Sequence, residues 1–164
     1  MLVIRPAEPR DAGAIAAIYS EGIAERVATF ETEPRGAAHV APWIGAELPL
    51  LVAESGGDVL GWAKLSEYSD RCAYRGVAEV SVYVGGAGRG RGTGLALVEA
   101  ICAAAEEGGL WKLVALVFPE NRASLRLFAR AGFTEVGTFR RHGRLDGVWR
   151  DVLALERLLG EAAE

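Results

Sequence analysis

Between residues 85 and 94 the chain reads GGAGRGRGTG, and it then becomes the smooth apolar pattern LALVEAICAAA. A strand-like run, a loop of small residues and a helix start, in that order, make an anion site: the first N–H groups of a helix lack intrahelical partners and stand at the positive end of its dipole. Glycines keep no side chain between those groups and an approaching oxygen. Two phosphate-binding patterns are excluded by residue type and spacing. The loop contains no lysine, so the Gly-Lys-Ser/Thr ending of a P-loop is missing. Gly90, Gly92 and Gly94 stand two apart and do not make the Gly-x-Gly-x-x-Gly of a dinucleotide fold. Arg89 and Arg91 lie beside these glycines and suit phosphate oxygens, and the sequence does not choose between them.

Upstream, GVAEVSVYV alternates, with Ala78, Val80, Val82 and Val84 on one face and Val77, Glu79, Ser81 and Tyr83 on the other. Glu79 is a carboxylate that can take a proton from an amine if its site is partly dry. The competing reading is a solvated strand glutamate. Tyr83 reads first as an ordinary strand aromatic turned into the core. Arg71 and Arg75 flank Tyr74 at the entry to this strand, and a guanidinium can grip both oxygens of a carboxylate. Their competing reading is a pair of solvated loop arginines. His39 and His142 are the only histidines and read as surface or hydrogen-bonding residues, with His142 bordering the candidate site near the end of the chain.

The elements that position these residues follow from periodicity. LVIRPA reads as a strand, and Ile15, Ile18, Tyr19 and Ile23 recur at helical spacing after it. AAHVAPWIGAEL is a weaker helical piece interrupted by Pro42. Two apolar runs, about 49–54 and 58–67, flank Gly56-Gly57-Asp58 and predict a hairpin. The run after the glycine loop is an alanine-rich helix ending at Gly108-Gly109, and WKLVALVF reads as a strand buried on both faces. NRASLRLFARAG predicts a helix starting near Asn121 and stopping at Gly132. The chain closes as two strands turned at Asp146-Gly147, the second passing into a short helix. The order β α α β β β α β α β β predicts an α/β (α+β) fold, a mixed, mostly antiparallel central sheet with about four helices on its faces.

Length and composition bound the function. At 164 residues, 51% hydrophobic and 24% charged, the chain predicts one globular domain spanning 1–164. A net charge of −4 argues against nucleic acid as a partner, since such binding draws on a basic face. No apolar run is long enough to span a membrane, and the start of the chain carries no basic-then-apolar leader, so the cytoplasm is the expected compartment. Cys72 and Cys102 show neither disulfide nor zinc spacing, and no metal is expected.

Arg89-Gly90-Arg91-Gly92-Thr93-Gly94 matches Arg/Gln-x-x-Gly-x-Gly/Ala, and here the sequence resembles the GNAT superfamily of acetyl-CoA-dependent N-acetyltransferases. The likeness extends over IRPAEPRDAGAIAAIY, the VYV strand and PENRASLRLFARAGF. It implies that the loop from Arg89 through Leu95 holds the coenzyme A pyrophosphate, with Gly90, Gly92, Thr93 and Gly94 supplying backbone amides. It also implies that the backbone of Val82, Tyr83 and Val84 pairs with the pantetheine arm, and that Asn121 contacts the coenzyme beyond the thioester. TFETEP, SDRCAYRGVAEVSVYV and GTFRRHGRLDGVWRDV are similar to the phosphinothricin acetyltransferase branch, which includes enzymes acting on arsinothricin. That resemblance implies acetylation of the α-amino group of a small acidic-headed amino acid, a reaction that confers resistance. It implies Glu79 as general base and Phe30, Arg71 and Tyr74 as acceptor-pocket residues, with Arg75 a further candidate.

In one place the chain departs from the family, which often carries a tyrosine to protonate the departing thiolate where this chain has Phe128. Phenylalanine donates no proton, but a thiol with a pKa near ~8.5 leaves as the thiolate without a dedicated acid. The general acid is therefore unassigned. The resemblance also implies a homodimer. Alternative readings are an N-acetyltransferase for methionine sulfone, methionine sulfoximine or an amine, and a non-catalytic acyl-CoA-binding module.

Overall fold

The computed structural model describes residues 1–164. Seven strands form one sheet: β1 Leu2–Pro6, β2 Leu50–Ser55, β3 Asp58–Glu67, β4 Val77–Val84, β5 Lys112–Val117, β6 Thr134–Leu145 and β7 Val148–Leu158. Four helices join them: α1 Ala12–Glu25, α2 Ala37–Val40, α3 Thr93–Glu107 and α4 Arg122–Arg130. The sheet order is β1-β2-β3-β4-β5-β7-β6, and every neighbouring pair is antiparallel except β4 with β5. The expected mixed α/β sheet is therefore present. None of the helices is long and apolar enough to cross a membrane.

Alternation along the strands sends their residues to two different cores. Leu51, Ala53, Ala63, Leu65, Ala78 and Val80 pack with Leu97, Val98 and Ile101 of α3 and with Phe128 of α4. Leu50, Val52 and Trp62 point the other way, onto Ile15, Ala16 and Ile18 of α1 and onto Val40. A shift of one residue in any of these strands would exchange the two sets. Both hairpins turn where glycines were expected: Gly56 and Gly57 have φ of 59° and 89°, and Asp146 and Gly147 have 49° and 78°, the left-handed values of a type I′ turn.

One element differs from its sequence reading. β5 is not buried on both faces. Leu113, Ala115 and Val117 enter the core, while Leu116 is 39% exposed. No helix covers the opposite side of β5, and Leu116 there forms part of a cavity wall. Pro42, as its ring geometry requires, ends α2 after a single turn, and the chain continues as a 3-10 turn, Ala41–Trp43.

The start of α1 is held by a buried carboxylate whose importance the sequence did not signal. Asp11, 3% exposed, accepts two bonds from the Arg5 guanidinium at 2.8 and 3.0 Å and one from the Glu8 N–H at 2.7 Å. Hydrogen bonding to Arg5 keeps this carboxyl below the usual range against the opposing effect of burial. Asp11→Asn is expected to cost about 1–2 kcal/mol in chemical denaturation at pH 7, because the part-buried Arg5 guanidinium loses one of its two carboxylate partners and keeps Glu54. The folded-state pKa lies below the unfolded value near ~3.9, so this contribution is complete above that value and is lost as the pH falls through the folded-state value. The gap between wild type and variant should therefore close in acid.

Candidate active site

β3 and β4 pair in a register that stacks three polar and aromatic couples on one face: Trp62 with Tyr83, Lys64 with Ser81, and Ser66 with Glu79. These six residues floor a cavity of about 450 Å³. Its walls come from four other places. Tyr19 projects from α1 and Trp43 from the turn after α2; Thr29 and Phe30 reach in from the loop after α1; and Leu116, Phe118, Val152 and His142 close the far side.

The far side depends on two local backbone features. The β6–β7 register shifts between Phe139 and Gly143, and within that bulge Arg141 adopts φ 48° and donates its N–H to Asp151 at 2.7 Å. A bulge re-aims the following side chain, and here that side chain is His142. Gly143 then leaves room for Phe30, whose ring atoms come within 2.8 Å of where a Cβ would stand. Phe30 packs edge-on against Phe118, with ring centroids 4.8 Å apart.

Four aromatic rings surround the inner end of the cavity. Trp62 and Tyr83 stack at 4.7 Å, Tyr19 meets Tyr83 edge-on at 5.2 Å, and Trp43 lies 5.6 Å from Trp62. Such rings exclude water and lower the local polarity, so charged groups among them lose hydration. Toward the other end of the floor Glu79 is half-buried, and burial pushes its carboxyl up, against a smaller opposite pull from Lys64. Lys64 is also half-buried, and burial pushes its ammonium down. A carboxylate raised in this way is a better proton acceptor near neutral pH than one in water.

Beyond Glu79, strand β4 has no partner on its β5 side. Parallel pairing covers only Val77, Ala78 and Glu79, facing Lys112, Leu113 and Val114. The strands then part around a second, smaller hollow of about 50 Å³. It is lined by the β4 segment from Val80 to Tyr83 and, across the gap, by Leu116, Val117, Asn121, Ser124 and Phe128. Ser81, Tyr83 and Leu116 border both cavities, so the two adjoin at the fork beside Glu79. Phe128 is 3% exposed and packs on Phe133 at 5.0 Å.

The glycine loop continues from the open end of β4. Gly90 and Gly92 take left-handed φ values of 71° and 76°, and Gly92 leads directly into α3. The first bond back to the loop from within α3 is Ala96 N–H to the Gly92 carbonyl, at 3.1 Å, so the N–H groups of Thr93, Gly94 and Leu95 face outward from the helix start. The loop glycines do not all serve the same end. A Cβ on Gly94 would lie 3.0 Å from Leu127 of α4, so that glycine permits helix packing. The Thr93 side chain is buried.

The two loop arginines also separate. Arg89 forms a close ion pair with Glu25 of α1 and donates to the Val84 carbonyl at 3.1 Å, while Gly86 N–H donates to Glu21 at 2.9 Å. Arg91 is exposed, has no acidic partner and touches only the Ala87 carbonyl, at 3.3 Å.

Of the residues singled out from the sequence, Glu79, Phe30 and Tyr83 meet in the cavity, and Val82 and Asn121 meet in the fork. Asn121 accepts from the Ser124 N–H at 3.2 Å and caps α4. Arg71, Tyr74 and Arg75 lie outside both sets of walls. They are exposed on the connection between β3 and β4, where Arg71 lies over the Tyr74 ring at 5.6 Å and Arg75 over Trp111 at 5.5 Å. Lys64, Tyr19, Trp43, Trp62 and Ser66 were missed. The strand pattern of β3 carried a signal for Lys64 and Ser66, polar residues recurring every second position after Trp62.

Comparison with known proteins agrees with this architecture. The sequence profile of the acetyltransferase (GNAT) family matches residues 15–133. A phosphinothricin N-acetyltransferase of Alcaligenes faecalis is 37% identical over 162 residues, which cover 95% of this chain and 82% of the relative. An L-methionine sulfoximine/L-methionine sulfone acetyltransferase of Pseudomonas aeruginosa is 32% identical over 158 residues, 93% of this chain and 92% of the relative. A solved GNAT superfamily phosphinothricin acetyltransferase of Sinorhizobium meliloti, in complex with acetyl-CoA, superposes with a TM-score of 0.91 at 31% identity, covering 98% of this chain and 90% of the other. With its forked sheet, its glycine loop and likeness of this extent, the chain belongs to the GNAT acetyltransferase family.

Proposed function

We propose that the protein transfers an acetyl group from acetyl-CoA to the α-amino group of a phosphinothricin-like amino acid, phosphinothricin or arsinothricin, and so confers resistance to it. The observation that carries this reading is the half-buried Glu79 at the point where the acceptor-sized cavity meets the β4–β5 fork. Acetyl-CoA supplies the activated acetyl thioester. Its fit to this chain is supported by the unpaired edge of β4, the outward N–H groups at the start of α3 and the left-handed Gly90 and Gly92. In this reading the amides of Val82, Tyr83 and Val84 receive the pantetheine arm. The amides of Gly90, Gly92, Thr93, Gly94 and Leu95 receive the pyrophosphate. Arg91 adds positive charge there, while Arg89 stays with Glu25 and holds the loop to α1. Asn121 meets the arm through its amide N–H₂, since its side-chain oxygen caps α4.

Glu79 removes a proton from the acceptor's ammonium, directly or through water; the freed amine forms the amide C–N bond as the thioester C–S bond breaks, coenzyme A leaves as the thiolate, and the surplus proton of the nitrogen passes to it. The aromatic rings exclude bulk water around the amine and hold the acceptor's aliphatic part. No serine or cysteine is needed as a nucleophile. Arg71, with Tyr74 and Arg75, is proposed to meet the acceptor's acidic head from the cavity rim, because the loop that carries them leaves β3 and enters β4 next to the Ser66–Glu79 pair. The acting unit is the whole chain as one cytoplasmic domain, paired as a homodimer. Support for pairing is the group of exposed apolar residues Val136, Phe139, Val148 and Trp149 on the β6–β7 hairpin at the edge of the sheet.

Thiol release from acetyl-CoA tests this against a panel of phosphinothricin, arsinothricin, methionine sulfone, glutamate and a polyamine. The acidic-headed pair is expected to give the highest kcat/KM. Preference for methionine sulfone or for the polyamine would replace the acceptor assignment. Tight acetyl-CoA binding with no release from any acceptor would instead support a non-catalytic acyl-CoA-binding module.

A further inference from the structure

The cavity floor holds a cation for which the reaction as described has no use. Lys64 stands in the middle of the Trp62–Lys64–Ser66 row, half-buried, and none of the chain's ion pairs involves it. The other lysine, Lys112, pairs with Glu156 at 2.6 Å. Lys64 Nζ donates to Ser66 Oγ at 2.9 Å and lies 4.9 Å from the centre of the Trp43 ring. An ammonium has three donors, so two remain. An ammonium outside any ion pair in a water-poor aromatic setting loses hydration, and burial lowers its pKa against a smaller opposite pull from Glu79.

Its position relative to Glu79 defines what fits between them. Ser66, which receives the Lys64 bond, is the direct cross-strand partner of Glu79. Directly opposed side chains start about 4.5–5.5 Å apart at their Cβ atoms. The ammonium and the carboxylate therefore stand on either side of Ser66 without joining as an ion pair. In a free α-amino acid the amino nitrogen and the carboxylate oxygens hang from one carbon, about 3 Å apart by standard bond lengths and angles. With the amine at Glu79, the group that falls nearest Lys64 is the α-carboxylate and not the head group, which lies further along the side chain.

We propose that Lys64 is the acceptor-binding residue that receives the α-carboxylate, so that the enzyme takes free α-amino acids and discriminates against α-amides, peptides and simple amines. This rests on the reading of the site as an amino-acid N-acetyltransferase with Glu79 as base. A buried donor built for an anion disfavours a ligand lacking it, because the donor is then left unpaired. Lys64 also completes the charge count: one cation and one anion on the floor face one anion and one cation on the zwitterion. The ring of Trp43 and the Ser66 hydroxyl orient the ammonium and act through it as positioning groups.

The test compares L-methionine sulfone with its α-amide, a pair in which the carboxylate is the only charge lost from the acid. Wild type is expected to favour the acid in kcat/KM, and Lys64→Met to reduce that preference at least about tenfold, the scale of one charge-assisted hydrogen bond. Lys64→Arg should restore part of it. The acetyl-CoA Kd should not move in either variant. A purely structural lysine would lower stability and scale both substrates together, so an unchanged acid-to-amide ratio in Lys64→Met overturns the proposal. The same pair is titrated without acetyl-CoA by quenching of tryptophan emission, using Lys64→Gln beside Lys64→Met in case one variant folds poorly. If wild type turns over no amino acid, the proposed function fails by itself, and the titration still decides: acid-selective binding lost in the variants supports the role of Lys64, and equal binding of acid and amide by wild type overturns it.

Discussion

Glu79→Gln is expected to lower kcat about 100-fold or more and to leave acetyl-CoA binding near normal. Glutamine has nearly the same shape but cannot accept the amine's proton, and the proposed coenzyme cradle lies beyond the fork, on β4 and the loop before α3. The pH profile separates a base from a mere contact. In the proposed mechanism activity needs Glu79 deprotonated, and burial raises its pKa, so the acid limb of kcat/KM should stand above the ordinary carboxylate range and fall tenfold per pH unit below it. Lys64 pulls that pKa down, so Lys64→Met should shift the limb to higher pH. Unchanged turnover in Glu79→Gln, or an acid limb that ignores both substitutions, would remove Glu79 from the reaction. The groups facing Glu79 across the floor are Lys64, Ser66 and Ser81, with Tyr83 and Tyr19 beyond them and His142 on the opposite wall. Of the charged groups among these, Lys64 is the one that opposes the shift in Glu79.

Gly92→Val should weaken acetyl-CoA binding at least about tenfold. Gly92 holds φ 76° at the threshold of α3, and a β-branched residue in the left-handed region costs about 1–2 kcal/mol or forces the loop into another path. Either outcome withdraws the outward N–H groups that the pyrophosphate is proposed to use. Space is not the issue, since a Cβ there meets nothing within 4 Å. Gly109, at the opposite end of α3, also has a left-handed φ, 86°, and open surroundings, which makes Gly109→Val the matched control for backbone strain. Calorimetric titration with acetyl-CoA should show weakened binding in Gly92→Val and not in Gly109→Val. Equal affinities in the two variants would mean that the loop conformation does not set coenzyme binding.

The contrast between Glu79 and Arg71 illustrates how much of the site was legible. Alternation along β4 put Glu79, Ser81 and Tyr83 on one face, and that face is the cavity floor. Tyr83 was first read as a core aromatic, and it does pack against Tyr19 and Trp62, but as part of the cavity wall. Proximity along the chain and the resemblance favoured Arg71 for the acceptor, with Arg75 a further candidate. Their 3-10 turn carries them onto the exposed side of the β3–β4 connection, outside the walls. Lys64, fifteen residues before Glu79, is nearer in space because antiparallel pairing folds β3 back along β4.

By itself the sequence determined the strands, helices and turns, because periodicity and glycine placement are local properties of the chain. It also determined the loop chemistry, since the left-handed Gly90 and Gly92 and the free first turn of α3 depend only on neighbouring residues. Only the tertiary structure decided which arginine of that loop is engaged by α1 and that β4 parts from β5 just after Glu79. It alone brought Lys64, Trp43, Trp62 and Tyr19 to one cavity. The reason is that pairing register, bulges and helix packing join residues far apart along the chain, and no local pattern encodes which of them will meet.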